Sequence, residues 1–412
     1  MGGLLEMTLG VMTSVGGFVD VSELVFAAQA GSKFAFSLIW VFVLATVAII
    51  VFGEMSGRVA AVAKQPVFNL MRQRLGLRTG LVVLLASSVV NLITCAAEIG
   101  GAALVLNLLT GWPYRVLAVL VAAALLLGVW IMPFKWIERV FGLLGLGMVV
   151  FLAAAIASHP SMKAVAIGLV PGMTHGLGSH QLVTYAYFAV AIISAVLFPY
   201  ETYFYSSGAV EEKWSPKDLG MNRVNCVLGF SLGSCLAIAI LVNGAVLFRP
   251  LQIDPRMLGT VALQVAVPFG RVGLVIALLG MLFAISGAAV ETCLSNAYSL
   301  SQYFGWEWGR YQKPAAAPRF TIAWIATFVA AGLIVLSGVQ PLDLVEWAVV
   351  FSVIVLPFTY LPLILIANDR KYMREHVNGR LSNTLGWAFY GMLVLAAAAA
   401  APLYFMTSGG QA

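Results

Sequence analysis

Apolar residues run for twenty or more positions at a time along most of this chain, and the polar residues gather in short intervals between the runs. A helix rises 1.5 Å per residue, so about 20 such residues cross the hydrocarbon core of a bilayer. Eleven spans are predicted on that basis, at roughly 4–30, 35–56, 80–110, 114–133, 138–157, 183–209, 222–248, 272–303, 319–338, 343–367 and 384–406. The first, third, sixth and eighth exceed what a crossing needs, which fits tilt or an internal break. The expected fold class is an all-α polytopic membrane protein.

Composition agrees. Of 412 residues, 61% are hydrophobic and only 10% charged, and the mean hydropathy is +0.96. The chain reads as one transmembrane domain over 1–412 with no soluble appendage. Its beginning lacks a basic n-region and a small-residue cleavage site, so the first span is expected to be mature structure and not a signal peptide. With the N-terminus placed inside, seventeen Lys and Arg fall in cytoplasmic loops and six in external ones. That bias predicts a cytoplasmic N-terminus and an external C-terminus, in a bacterial inner membrane. The net charge of +6 mostly reports the same bias. Its spread over many short loops argues against nucleic-acid binding. No required protein partner is evident.

Between spans, the longest external loops are expected around 158–182 and 249–271. The basic stretch 57–79 could hold a short surface helix, with Val67, Leu70, Met71 and Leu75 on one face. Residues 306–318, with Pro314 and Pro318, read as a cytoplasmic linker. The four cysteines (Cys95, Cys226, Cys235, Cys293) fall within spans and form no CxxC pair, which suits small apolar core residues.

Two segments break the apolar pattern. Gly16-Gly17-Phe18-Val19-Asp20-Val21-Ser22-Glu23 lies in the first span, and Leu197-Phe198-Pro199-Tyr200-Glu201 in the sixth. Ionisable groups are costly in lipid and mark ion pathways by default. Irregular backbone at that depth must be buried in protein or line a cavity. Near the two glycines and Ser22, unwinding is expected around Asp20 and Glu23. It would free carbonyls, and carboxylate with carbonyl oxygen suits hard cations. The alternative is an acid pair at the membrane surface. Pro199 should kink or break span six, with Glu201 directly after it; the alternative is an ordinary kink and a structural Glu201. Spans 1–5 and 6–10 then read as an inverted repeat, about 1–157 and 183–367, with 384–406 as an extra helix.

Glu98 sits mid-span among small residues that favour close helix packing. It could relay protons, pair with a base, or stay protonated and hydrogen-bonded. Glu291 and Glu346 are lesser candidates, for which structural roles are favoured. His159, His175, His180 and His376 all fall in loops, and no HExxH, Walker, GxSxG or dinucleotide motif occurs in a proper context. An enzyme is not expected, and no cofactor is implied.

At these residues the chain resembles the Nramp (natural resistance-associated macrophage protein) family of divalent-metal transporters. The resemblance covers nearly the whole chain. Asp20-Val21-Ser22-Glu23 before Gly31-Ser32-Lys33-Phe34 is similar to the family's first-helix Asp-Pro-Gly-Asn and following Gly-Ser-Lys-Phe. Ala97-Glu98 with Leu106-Asn107-Leu108-Leu109 resembles its third helix. Phe198-Pro199-Tyr200-Glu201, followed by Tyr203 and Ser206-Ser207, resembles its sixth-helix Met-Pro-His-Asn. Leu356-Pro357-Phe358, Pro362-Leu363 and Asp369-Arg370-Lys371 resemble its tenth helix and the loop beyond.

The resemblance implies a LeuT-like fold of the APC superfamily, 5 + 5 helices plus one, in which the first-helix Asp and Asn and the sixth-helix Met bind the ion. Asp20 keeps its place. The Asn is Glu23 and the Met is Phe198, which cannot ligate. Thioether sulfur favours transition metals. Its loss, with carboxylates added at Glu23 and Glu201, shifts the expected preference towards hard ions (Mg²⁺, Mn²⁺, Ca²⁺). A divergent branch of the family, of magnesium transporters, likewise lacks the Met. The family's sixth-helix His is Tyr200 here, and the Asp three positions before the third-helix Glu is Cys95. Asp20 and Glu98 remain as proton carriers, so that metal entry would release protons.

The expected function is secondary transport of divalent cations through the bilayer. Asp20, Glu23 and Glu201 would be the metal ligands, helped by carbonyls near Val19 and Val196. Glu98, Tyr200, Phe198 and Cys95 would line the site or relay protons. Two alternatives stay open: a carrier of a cationic organic substrate on the same fold, and a non-transporting metal sensor.

Overall fold

The computed structural model describes residues 19–172 and 178–411, and among them every regular element is a helix. The main helices are α1 (Val21–Phe34), α2 (Ile39–Ala63), α3 (Val67–Thr110), α4 (Tyr114–Ile131), α5 (Lys135–Ala157), α6 (Ser179–Val196), α7 (Pro199–Glu211), α8 (Leu219–Asn243), α9 (Leu258–Phe304), α10 (Pro318–Leu336), α11 (Pro341–Ala367) and α12 (Arg380–Thr407). Ten segments are long and apolar enough to cross a membrane, α6 and α7 counting as one. α1 is a half-helix. The earlier part of the first predicted span, with Gly16, Gly17 and Phe18, lies outside the described residues, as does His175.

The longest helices form the centre. α3 and α9 share the most extensive packing, and α11 lies against α3. Peripheral helices show the opposite pattern. α4 buries Leu117, Ala118, Val121 and Leu125 and leaves Val116, Val119, Leu120 and Leu127 outward. An apolar outward face suits lipid in place of water. α1 is held inside, against α8, α6 and α9. A Cβ on Gly31 would strike the Leu241 carbonyl oxygen, and one on Gly244 would come 2.5 Å from the Ala28 carbonyl oxygen. Both positions therefore need glycine for the backbones to touch.

Two expectations are corrected and one is met. Ser22 and Glu23 are not unwound; they form the first turn of α1, with Asp20 as its N-cap. Pro199 breaks span six as expected, and the alternative of an ordinary kink falls away. It opens α7 after a break at Leu197–Phe198, where its missing N–H costs no helical hydrogen bond. The loop expected at 249–271 is helical from Leu258, because Leu258, Val261, Ala262 and Val265 form a buried stripe at helical spacing. Gly270, with φ +60°, then turns the chain into the rest of α9.

The surface helix expected within 57–79 is present at the start of α3. Val67, Phe68, Leu70 and Met71 are buried. Gly76, at φ +83° and ψ 170°, separates this segment from the transmembrane part.

Candidate ion site

The first turn of α1 brings two carboxylates onto one helix end. Asp20 is extended, and its Oδ1 accepts from the Glu23 N–H at 2.8 Å. Glu98 reaches across from α3, and its Oε1 accepts from the Val21 N–H at 3.2 Å. The first amides of a helix lack internal partners and carry the positive end of its dipole, so both carboxylates are well placed. The spacing Asp20-Val21-Ser22-Glu23 is a capping signature that the sequence already carried.

The second break is fastened on both sides. The Tyr360 hydroxyl of α11 donates to the Leu197 carbonyl at 3.3 Å and accepts from the Thr202 hydroxyl at 3.2 Å. Ser295 of α9 donates to the Tyr200 carbonyl at 3.0 Å, and Ser194 donates to the Val349 carbonyl at 2.7 Å. The Leu197 carbonyl, which the break removes from the helix ladder, thereby finds a partner, and the other bonds tie the ends of α6 and α7 to α11 and α9. They hold Glu201 in the first turn of α7.

The acids at the two helix starts lie in one buried cluster. Relative exposure is 1% at Asp20, 3% at Glu23, 0% at Glu98 and 5% at Glu201. Glu201 lies within electrostatic reach of Glu23 and Asp20, and Glu98 within reach of Asp20. Each has one oxygen with no hydrogen-bond partner: Asp20 Oδ2, Glu23 Oε2, Glu98 Oε2 and Glu201 Oε2. Among the described residues none of the four makes an ion pair. Buried carboxylates without a counter-charge are expensive, so such a cluster is stable only with protons or a cation among them. Among the described residues no three acidic, His or Cys side chains converge tightly enough to enclose an ion as they stand.

Phe198 and Tyr200 are fully buried, with ring centroids 5.7 Å apart. Tyr200 stands within electrostatic reach of Glu201, Asp20 and Glu98. Cys95 is also buried, but its Sγ turns to the Ala289 carbonyl of α9 at 3.7 Å and serves helix packing. Glu291 lies one turn before Ser295 on α9 and within reach of Glu201. Glu346 packs instead against Gly409 at the far end of α12.

Sequence reasoning overlooked Arg310, placed in the linker 306–318. Its side chain is only 4% exposed and meets Glu138 of α5 at 3.3 Å, Glu211 of α7 at 3.2 Å and Glu212 at 2.9 Å. Burial opposes its charge, but Glu138 and the neighbouring acids hold its pKa above the ordinary arginine value. The sequence signal was slight: a pair of adjacent acids, Glu211-Glu212, with Lys213 beside them as the obvious but wrong partner.

A family model for natural resistance-associated macrophage protein-like proteins (Nramp) matches residues 10–401. The divalent metal cation transporter MntH of Levilactobacillus brevis is 25% identical over 412 aligned residues, covering 94% of this chain and 86% of that protein. MntH 1 of Pseudomonas aeruginosa is 28% identical over 426, covering 96% and 90%. Among solved structures, the manganese transporter of Eremococcus coleocola superposes with a TM-score of 0.76 at 18% identity, over 95% of this chain and 85% of that one. At that identity the structural likeness speaks for the fold. With the family match spanning α1, the broken α6–α7 pair and the scaffold around them, the chain is a LeuT-like integral membrane protein and belongs to the Nramp family, whose members are transporters and not enzymes.

Proposed function

We propose that this chain carries divalent metal cations across the membrane, with Asp20, Glu23 and Glu201 as ligands. The observation that carries the reading is the set of buried carboxylates at two half-helix starts, each keeping an uncommitted oxygen. Relatives named as divalent metal cation transporters, and a structural neighbour named as a manganese transporter, support it. Carbonyls near Val19 and Val196 complete the oxygen set, and the carboxylates draw together as the ion enters. Phe198 in place of a sulfur ligand, and the excess of carboxylate, favour hard ions: Mg²⁺, Mn²⁺ and Ca²⁺. Glu98 accepts or releases protons as the ion comes and goes, and Tyr200 walls the hollow. The N-terminus faces the cytoplasm of a bacterial inner membrane and the C-terminus faces outward, following the basic residues.

The test is uptake of Mn²⁺, Mg²⁺ and Ca²⁺ by proteoliposomes, with a pH-sensitive dye enclosed. Asp20→Ala and Glu201→Ala are expected to abolish uptake while the protein stays monodisperse. Wild-type flux in both variants would remove the ligand assignment. Dye signals that follow metal entry in the wild type, and vanish in Glu98→Gln, support the proton role; unchanged signals reject it.

A further inference from the structure

α3 carries a second feature that the carboxylate hollow does not use. Ser87, Asn91, Thr94 and Glu98 follow one another at helical spacing, so they share one face over about 16 Å. All four are 0% exposed. The Ser87 hydroxyl, the Thr94 hydroxyl and both side-chain polar atoms of Asn91 have no hydrogen-bond partner. A buried amide or hydroxyl left unpaired costs about 1–3 kcal/mol. Leaving several in one stripe is contrary to stability alone, and each such group calls for an explanation.

The stripe continues onto α7 and α9. The Tyr203 hydroxyl lies beside the Ser87 and Thr359 hydroxyls. Ser207 donates to the Tyr203 carbonyl at 2.7 Å and accepts from Gln302 Nε2 at 2.8 Å. Gln302 Oε1 and Ser299 Oγ are again unpartnered. Polar groups thus run from Glu98 towards the end of the bundle where α3 begins. That end is covered by the segment before Gly76. The Phe68 ring stands edge-on to Tyr203 at 5.0 Å, and the Val67 N–H donates to Ser206 Oγ at 3.3 Å.

We infer that this seam is the passage by which the ion leaves the carboxylate hollow towards the α3 N-terminal face, with Asn91 as an oxygen ligand midway. The inference rests on the reading of the hollow as a cation site. Uncharged oxygens suit a departing dication, since they replace part of its hydration without holding it as a carboxylate would. In the closed form described here the same groups lack partners. Withdrawal of Phe68 about Gly76 would admit water to them.

Asn91→Leu separates this role from a structural one. It removes two unpaired polar atoms at nearly constant volume, so the thermal midpoint in detergent is expected to hold or rise. Mn²⁺ binding by calorimetry should stay within threefold of wild type, and Mn²⁺ uptake by proteoliposomes should fall at least tenfold. Uptake within twofold of wild type overturns the passage. Loss of binding together with uptake also overturns it, because Asn91 would then belong to the hollow itself.

A second measurement needs no ion, and it decides the matter if Asn91→Leu does not fold. Ser87→Cys and Asn91→Cys are exposed to a water-soluble maleimide on the α3 N-terminal side, with the native thiols as baseline. Both are expected to react at least tenfold faster than Ala102→Cys, an equally buried site beyond Glu98 on the same helix. Equal rates at the three sites overturn the passage. Fast reaction at 87 and 91 in a chain that moves no dication sinks the transport reading of the hollow and, with it, the passage as an ion route, leaving only a water-accessible seam.

Discussion

Glu98 and Val21 are 77 residues apart in sequence, yet Glu98 Oε1 accepts the Val21 backbone N–H at 3.2 Å. A residue of the scaffold helix thereby caps the half-helix that carries Asp20 and Glu23. The bond ties the stability of the first break to the chemistry of the hollow. A change at Glu98 should therefore be read on two scales.

Glu98→Gln keeps a carbonyl oxygen for the Val21 amide, so its unfolding midpoint should stay close to wild type. Glu98→Ala leaves a buried amide unpaired and is expected to cost about 1–3 kcal/mol. Chemical denaturation in detergent compares the two. Equal stability of the Gln and Ala variants would show that the cap contributes nothing.

Phe198→Met restores a soft ligand at the start of α7. Sulfur strengthens binding of softer dications more than of hard ones. Competition of Cd²⁺ and Mn²⁺ against Mg²⁺ and Ca²⁺ for uptake should shift in favour of the first pair. An unchanged order would mean that position 198 does not face the ion.

Arg310 is surrounded by Glu138, Glu211 and Glu212 with almost no exposure. Removing one partner of a buried ion pair costs about 3–5 kcal/mol, because uncompensated charge is left behind. Arg310→Gln is expected to lose stability on that scale, and Arg310→Lys to lose part of it, since a single ammonium cannot reproduce the fork. By contrast, Lys33 and Asp254 are partly exposed at 3.4 Å, and Asp254→Asn should cost less than about 1 kcal/mol. Thermal unfolding of the three variants side by side measures the contrast.

Gly31→Ala would place a methyl group against the Leu241 carbonyl. Neither helix backbone can yield easily, so α1 should be pushed off α8 at a cost of about 1–3 kcal/mol. Ala27→Gly, on the same half-helix, makes no such clash and serves as the control. Stability and ion uptake measured in both variants separate displacement of α1 from a change in helix propensity.

The chain by itself determined that this is a helical membrane protein with an interrupted sixth span, because long apolar runs, helix breakers and isolated carboxylates are local properties. It also named Asp20, Glu23, Glu98 and Glu201. Only the tertiary structure decided that these four are buried within reach of one another, and that Glu98 is bound to the start of α1. It likewise placed Pro199 at a helix start, where residues flanking the break find partners on α9 and α11. Arg310 and the stripe at Ser87, Asn91 and Thr94 were not legible beforehand for the same reason. Whether a polar residue is solvated, paired or left without a partner depends on which other helices it faces, and that is settled by packing between segments far apart in sequence.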